Sequence, residues 1–186
     1  ATCNVGATTP TGYGHHFAWG ETEPKEVYDW STYKYAKASG AWNLDSLTKY
    51  NSGKIYEGTI DNLLTLLPED DAATANWGSE WRMPTNEEQR ELVEECQYQM
   101  TEVNGVYGAK FTGKNGNSVF FPAAGGRYGS DANGVGGYGD YWSSSLFEKD
   151  EEDRLYARSL DFVNDEAYLF IYLRYDGFPV RAVLAK

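Results

Sequence analysis

Two frames rich in glycine and large aromatics constrain this chain most: Gly136-Gly137-Tyr138-Gly139-Asp140-Tyr141-Trp142-Ser143-Ser144-Ser145 and Gly177-Phe178-Pro179-Val180-Arg181-Ala182-Val183. The segment they bracket, residues 146–176, is of another kind. It mixes an acidic run from Glu148 to Asp153 with Phe147, Tyr156, Tyr168, Phe170, Tyr172, Tyr175 and scattered arginines. Large aromatics supply contact area at low entropy cost and charges supply specificity, so the mixture points to a recognition surface before a catalytic one.

No proline-rich or charged linker divides the 186 residues, so residues 1–186 are expected to form one domain. Twenty glycines and 15 tyrosines, with repeated Gly-X and Asn-Gly steps, favour turns and short strands over long helices. A loop-rich, mostly β fold is expected. A net charge of −12 and no lysine or arginine cluster argue against nucleic acid as a partner. No apolar run approaches the roughly 20 residues needed to cross a bilayer. The opening Ala1-Thr2-Cys3-Asn4-Val5-Gly6 reads as cut from a longer precursor, so a missing leader says nothing about compartment.

One helix is legible. Thr85 caps it, Glu88 completes a capping box, and Leu92, Val93 and Cys96 form an apolar stripe against Glu87, Glu91, Glu94 and Glu95, which predicts a helix from Asn86 to Cys96. Asp29-Trp30-Ser31 predicts the cap of a shorter helix through Tyr35 to Lys37. Pro68 to Ala73 has the acidic first turn of another. Val106 to Thr112, Ser118 to Pro122 and Ala167 to Arg174 read as strands, the last of them alternating, with Asn115-Gly116 as a hairpin turn. In the last strand Leu169, Ile171 and Leu173 are expected to face the core, leaving Tyr168, Phe170, Tyr172 and Arg174 outward.

Other motifs read as structure. Cys96 is expected to be a buried apolar thiol, and a bridge to Cys3 is left open. His15-His16 point opposite ways on an extended segment, so a surface or hydrogen-bonded pair is expected rather than zinc. The Asp150-Glu151-Glu152-Asp153 run carries hard oxygen ligands, but such runs are usually solvated loops; calcium is an open alternative without support, and no metal is expected. Trp77, Trp81 and Trp142 with Arg82 and Arg181 could stack on sugars, but the expectation is that they hold loops to the core. The glycines of Gly125-Gly126-Arg127-Tyr128-Gly129 are read as turn residues, not a phosphate cradle.

The ordered series Ala1-Thr2-Cys3-Asn4-Val5-Gly6-Ala7, Phe17-Ala18-Trp19-Gly20-Glu21-Thr22, Asp70-Asp71-Ala72-Ala73, Trp77-Gly78-Ser79-Glu80-Trp81-Arg82-Met83-Pro84-Thr85, Phe121-Pro122-Ala123-Ala124-Gly125, Tyr141-Trp142-Ser143-Ser144-Ser145 and Gly177-Phe178-Pro179-Val180-Arg181 resembles the Fibrobacter succinogenes major paralogous domain family of bacterial surface proteins. The resemblance covers essentially the whole chain. It implies a C-type-lectin-like α+β fold with a small irregular antiparallel sheet, about two helices and long ordered loops, similar to formylglycine-generating enzymes and to the variable proteins of diversity-generating retroelements. It also implies a secreted or cell-surface location, with a lipoprotein-like precursor as one form. In a variable protein of that kind Leu155, Leu160, Phe162, Leu169, Ile171 and Leu173 would hold the core while intervening positions change.

The expected ligand-binding set is therefore Phe147, Tyr156, Arg158, Asp161, Val163, Asp165, Tyr168, Phe170, Tyr172, Arg174, Tyr175 and Asp176. Tyr156, Tyr168, Phe170, Tyr172 and Tyr175 serve as anchors, and Arg158, Arg174, Asp161 and Asp176 set polarity. The partner is expected to be a protein or glycan on another cell or host surface, with no cofactor. Replacing Tyr168, Phe170 and Tyr172 together by alanine is expected to abolish binding while barely moving the melting temperature. An enzyme is the weaker reading. A formylglycine-generating oxidase would carry a reactive cysteine pair in its C-terminal half, and no cysteine follows Cys96. Among 28 acidic residues some glycosidase-like pair arises by chance. A structural module of a fimbria or other surface assembly is the remaining alternative.

Overall fold

The computed structural model describes residues 1–53, 56–148 and 154–185. The elements in order are β1 (Ala36–Gly40), β2 (Asn43–Leu47), β3 (Glu57–Gly58), a 3-10 turn (Pro68–Asp70), α1 (Ala72–Trp77), β4 (Trp81–Arg82), α2 (Asn86–Glu95), β5 (Gln97–Val103), β6 (Val106–Thr112), β7 (Ser118–Pro122), β8 (Gly126–Tyr128), β9 (Asp131–Asn133), β10 (Tyr138–Leu146), β11 (Tyr156–Val163), β12 (Glu166–Leu173) and β13 (Val183–Leu184). The strands form small sheets in the orders β1-β2-β3, β5-β6-β7, β10-β11-β12, β8-β9 and β13-β4, antiparallel except where β2 meets β3. The class is α+β and mainly β.

Helix α2 forms as its sequence dictates. The Thr85 hydroxyl accepts from the Glu88 amide, and the Glu88 carboxylate accepts from the Thr85 amide, satisfying two orphan donors of the first turn. Leu92, Val93 and Cys96 pack on a core of Ala109, Phe111, Phe121, Tyr141, Leu160 and Phe162, which fills the space between the β5-β6-β7 and β10-β11-β12 sheets. The α1 segment is a 3-10 turn followed by a short helix, whose cap Asp71 accepts from the Ala73 and Thr74 amides. The helix expected from the Asp29-Trp30-Ser31 cap through Tyr35 to Lys37 does not form. Asp29 instead accepts from the Ser31 hydroxyl and the Thr32 amide, closing a turn, and Trp30, Tyr33 and Tyr35 enter the larger core.

That larger core joins both ends of the sequence. The Val5 amide donates to Val180 O at 3.0 Å and Phe17 bridges Phe178. The indole of Trp142 donates to Phe17 O at 2.8 Å and that of Trp19 to Ser143 O at 2.9 Å. Trp19, Trp142, Phe17 and Phe178 are all fully buried, each contributing roughly 2–3 kcal/mol of transfer free energy. Between Trp142 and Leu146 strand β10 bulges away from β11, and the bulged serines tie the molecule together. Ser144 N donates to Pro84 O, Ser144 O accepts from Leu66 N, and Gln89 of α2 donates to the carbonyls of Tyr141 and Trp142. Arg181 donates to Asn4 and to Phe120 O and lies 4.6 Å from the Phe121 ring centre, which is the loop-holding role expected of it. Both cysteines are free and half-buried, so the open Cys3–Cys96 bridge is not made and Cys96 is less buried than expected. The acidic run Asp150 to Asp153 lies outside the described residues.

Candidate ligand-binding face

The register of the β10-β11-β12 sheet decides which side chains meet. Asp140 pairs with Asp161, which pairs with Tyr168; Trp142 pairs with Ser159, which pairs with Phe170; Ala157 pairs with Tyr172. Paired residues share a face, so these groups all lie on one side. Tyr141, Leu160 and Leu169 lie on the other, against the α2 core. The first side is covered at one end, where Trp142, Ala157 and Tyr172 join the larger core and Tyr172 meets Phe178 at 4.7 Å between ring centres. At the other end Tyr168 is 39% and Phe170 49% exposed. The rings form an edge-to-face series, Tyr168 to Phe170 at 6.2 Å and Phe170 to Tyr172 at 5.3 Å, continued by Tyr128 at 6.5 Å from Tyr172.

Beneath these rings lie acids without a cation. Asp140 is 3%, Asp161 1% and Asp176 6% exposed. Among the described residues none of them forms an ion pair. The Tyr128 hydroxyl donates to Asp140 Oδ2 at 3.1 Å and the Ser159 hydroxyl to Asp161 Oδ1 at 2.6 Å. Asp161 Oδ2 has no hydrogen bond of ordinary geometry among the described residues; the Tyr172 hydroxyl approaches this carboxyl and, against burial, lowers its proton affinity. Burial raises the proton affinity of all three acids, holding Asp176 up to about 8. For Asp140 the charges of Asp161 and Asp176 add to burial. Burial first, and then the carboxylates, push the hydroxyls of Tyr138, Tyr168 and Tyr172 up as well. Glycine supports the arrangement at two points. Gly134 has φ +73°, and a Cβ there would stand 1.8 Å from the Tyr138 ring; a Cβ on Gly177, next to Asp176, would stand 2.4 Å from the Tyr28 ring.

The predicted surface is divided by the fold. Asp161, Tyr168, Phe170 and Tyr172 come together, and Val163 is half-buried on the same side near the hairpin, where Asp165 is exposed. Arg158 lies 4.7 Å from the Phe147 ring centre, on the side opposite Phe170. Tyr156 is half-buried and pairs with Leu173.

Arg174 and Tyr175 do not belong to a contact surface. Arg174 is fully buried, donating to the carbonyls of Tyr50, Arg154 and Lys49 and to the Tyr33 hydroxyl, since the chain turns inward past Leu173. Tyr175 is 5% exposed against Trp30. Asp161 and Asp176 are buried acids under the face rather than exposed groups upon it. Tyr172, expected to be free, is braced by Phe178. Tyr128, Tyr138 and Asp140 were missed. They lie outside the bracketed segment, and only the pairing of β10 with β11 and the course of β8 bring them in; the frame residues Tyr138 and Asp140 were the available signal.

A cavity of about 760 Å3 lies elsewhere, between α2, β7 and β13, lined by Leu92, Val119, Phe121, Val183 and Leu184. None of the predicted site residues reaches it. His16, in keeping with a hydrogen-bonded role, contacts Ala124 O at 3.1 Å, and burial lowers its proton affinity.

No helix among the described residues is long and apolar enough to cross a membrane. No family model, curated protein or solved structure matches the chain.

Proposed function

We propose that the chain is a non-catalytic ligand-recognition module of a bacterial surface protein, built on a C-type-lectin-like fold and binding through the outer face of β12 and its neighbours. The observation that carries this reading is the pair of exposed rings, Tyr168 and Phe170, held on a sheet whose far side and lower end are packed into two cores. Rigid aromatics lose little entropy on contact and occur where partners bind. The union of the chain's early and late segments, and the small sheets joined by long loops, agree with the lectin-like fold. Buried acids with raised proton affinity can also serve acid–base chemistry. Here the pair is sealed at 3% and 1% exposure, which leaves no room for a scissile bond between them.

In a diversified receptor of the retroelement kind, Tyr168, Phe170, Val163 and Asp165 would tolerate change, whereas Arg174 and Tyr175 would not. Deep sequencing of the 3′ end of the gene, with a search for a near-copy mismatched at adenines, tests that refinement; substitutions at the Arg174 codon as frequent as at the Phe170 codon would overturn it. The reading itself is tested by amide NMR of the labelled protein against a fragment set spanning sugars, anions, cations and apolar molecules. Hits are expected to shift β12 and β8 amides and to be lost in Tyr168→Ala/Phe170→Ala. Hits confined to the cavity beside α2, or a mass that rises with concentration through this face, would favour a structural module instead.

A further inference from the structure

We propose that the rings of Tyr128, Tyr138, Tyr168, Phe170 and Tyr172, with Asp140 and Asp161 beneath them, seat an organic ammonium cation, an alkylammonium group carried by a small molecule or by a lysine side chain. The inference rests on the recognition reading above and names its ligand class.

The first ground is charge without compensation. Other buried acids are saturated with donors, whether or not a cation is among them: Asp70, 2% exposed, receives Lys49, Lys34 and two tyrosine hydroxyls, and Asp71, 4% exposed and without an ion pair among the described residues, accepts from the amides of Ala73, Thr74 and Met83. Asp140, Asp161 and Asp176 receive no cation from the described residues, and a buried carboxylate is retained at a cost unless something offsets it. The second ground is independent. Asp161, at 1% exposure, leaves Oδ2 without a hydrogen bond of ordinary geometry, with the Tyr172 hydroxyl approaching its carboxyl, on the sheet face that carries Tyr168 and Tyr172. The third is the rings. An ammonium group is attracted to aromatic faces and repelled by none of the groups here, and the attraction grows when an anion lies behind the rings.

Other ligand classes fit less well. An anion would meet a protein of net charge −12 and an acidic floor. A hard metal ion needs converging oxygen ligands, and no group of three or more such side chains suited to a metal occurs among the described residues. A neutral sugar would find the carboxylates sealed below the rings rather than offered at the surface.

The proton balance follows from the same geometry. The titratable groups facing the pair are Tyr128 from β8, Tyr138 on β10, Tyr168 and Tyr172 on β12, and Asp176 beyond it; each is an acid, neutral when protonated. Without ligand, burial, joined at Asp140 by repulsion from the other acids, favours the protonated form of these carboxyls. An ammonium cation seated above favours the ionised pair, so a proton leaves to solvent as the cation binds.

Isothermal titration of the whole chain with tetramethylammonium and n-butylammonium chloride, against tert-butanol and potassium chloride, tests the inference. Saturable binding is expected for the ammonium ions, about tenfold tighter than for tert-butanol, with proton release read from buffers of different ionisation heat. Asp161→Asn and Phe170→Ala are each expected to weaken it about tenfold, Phe170→Ala without risk to the fold because the ring is 49% exposed. Tighter binding of Nα-acetyl-lysine methylamide than of either free ammonium ion would identify lysine as the source, and the reverse a small molecule. Equal affinity for tert-butanol, or an unchanged affinity in Asp161→Asn, would overturn the ammonium seat. If neutral sugars shift the same amides and ammonium ions do not, this inference falls and recognition by the face stands; if nothing of any charge binds there, both fall.

Discussion

Asp70 and Asp161 are both sealed from solvent, yet their surroundings are opposite. Asp70 is the centre of a completed network: Lys49 and the Tyr35 hydroxyl contact it closely, the Tyr50 hydroxyl donates at 2.7 Å, and Lys34 stands at 3.3 Å. These partners outweigh burial and hold its proton affinity below the ordinary carboxylate value. Asp161 has the Ser159 hydroxyl as donor, the Tyr172 hydroxyl approaching it, another acid across the strand and no cation among the described residues, and burial holds its proton affinity up. The difference teaches that burial alone does not mark a functional acid. Both residues are buried, but only one is structurally complete, and the incomplete one lies beneath exposed rings.

The comparison can be broken most sharply at Asp70. Asp70→Ala strands two buried tyrosine hydroxyls and leaves the Lys49 ammonium with Glu69, at 3.6 Å, as its one ion-pair partner among the described residues, and is expected to cost about 3–5 kcal/mol in urea unfolding. A loss below about 1 kcal/mol would mean the network is not stabilising. Arg174→Met removes the donor shared by three backbone carbonyls and should cost about 2–3 kcal/mol without altering any binding to the β12 face. A fully folded variant with lost binding would return Arg174 to the contact surface.

The acids also predict opposite responses to pH. Asp140, Asp161 and Asp176 bind protons more tightly in the folded state, so their contribution is greatest in acid and declines as pH rises from about 4 to about 8. Asp70 binds its proton less tightly when folded, so its contribution is present above its ordinary value of 3.8 and is lost as pH falls below that. Melting temperature should therefore fall between pH 5 and pH 8, and Asp140→Asn should flatten that slope, gaining about 1 kcal/mol or roughly 2–4 °C at pH 8. An unchanged slope would mean the cluster is not held protonated. The smallest effect is expected at Phe170→Ala, within about 0.5 kcal/mol of the parent in stability. A larger loss would place that ring in the core and remove it from the face.

Local signals proved readable where the chain itself supplies both partners of an interaction. The capping box of α2 closes between Thr85 and Glu88, three residues apart, and the strands from Val106 to Thr112 and Ser118 to Pro122 form where short aromatic and β-branched runs flank the Asn115-Gly116 turn. The turn after Asp29 was misread because the same side chain can cap a helix or close a turn. The choice fell to Trp30, Tyr33 and Tyr35, which are drawn into the core. In the candidate site Tyr168, Phe170 and Tyr172 were legible from period-two alternation in β12. Arg174 was not, because alternation ends where the strand ends, and one residue past Leu173 the backbone turns the guanidinium toward Lys49, Tyr50 and Arg154.

What the sequence determined alone is the acidic balance, the capped helix, the strand periodicity and the aromatic character of the last third, because each depends on residues within a few positions of one another. The tertiary structure decided which aromatics are free, which acids lack a partner, and that Tyr128 and Asp140 join Asp161 and Tyr168 in one patch. Those outcomes depend on cross-strand register and on loops that return from distant parts of the chain, and burial and pairing are properties of that three-dimensional neighbourhood rather than of any residue in it.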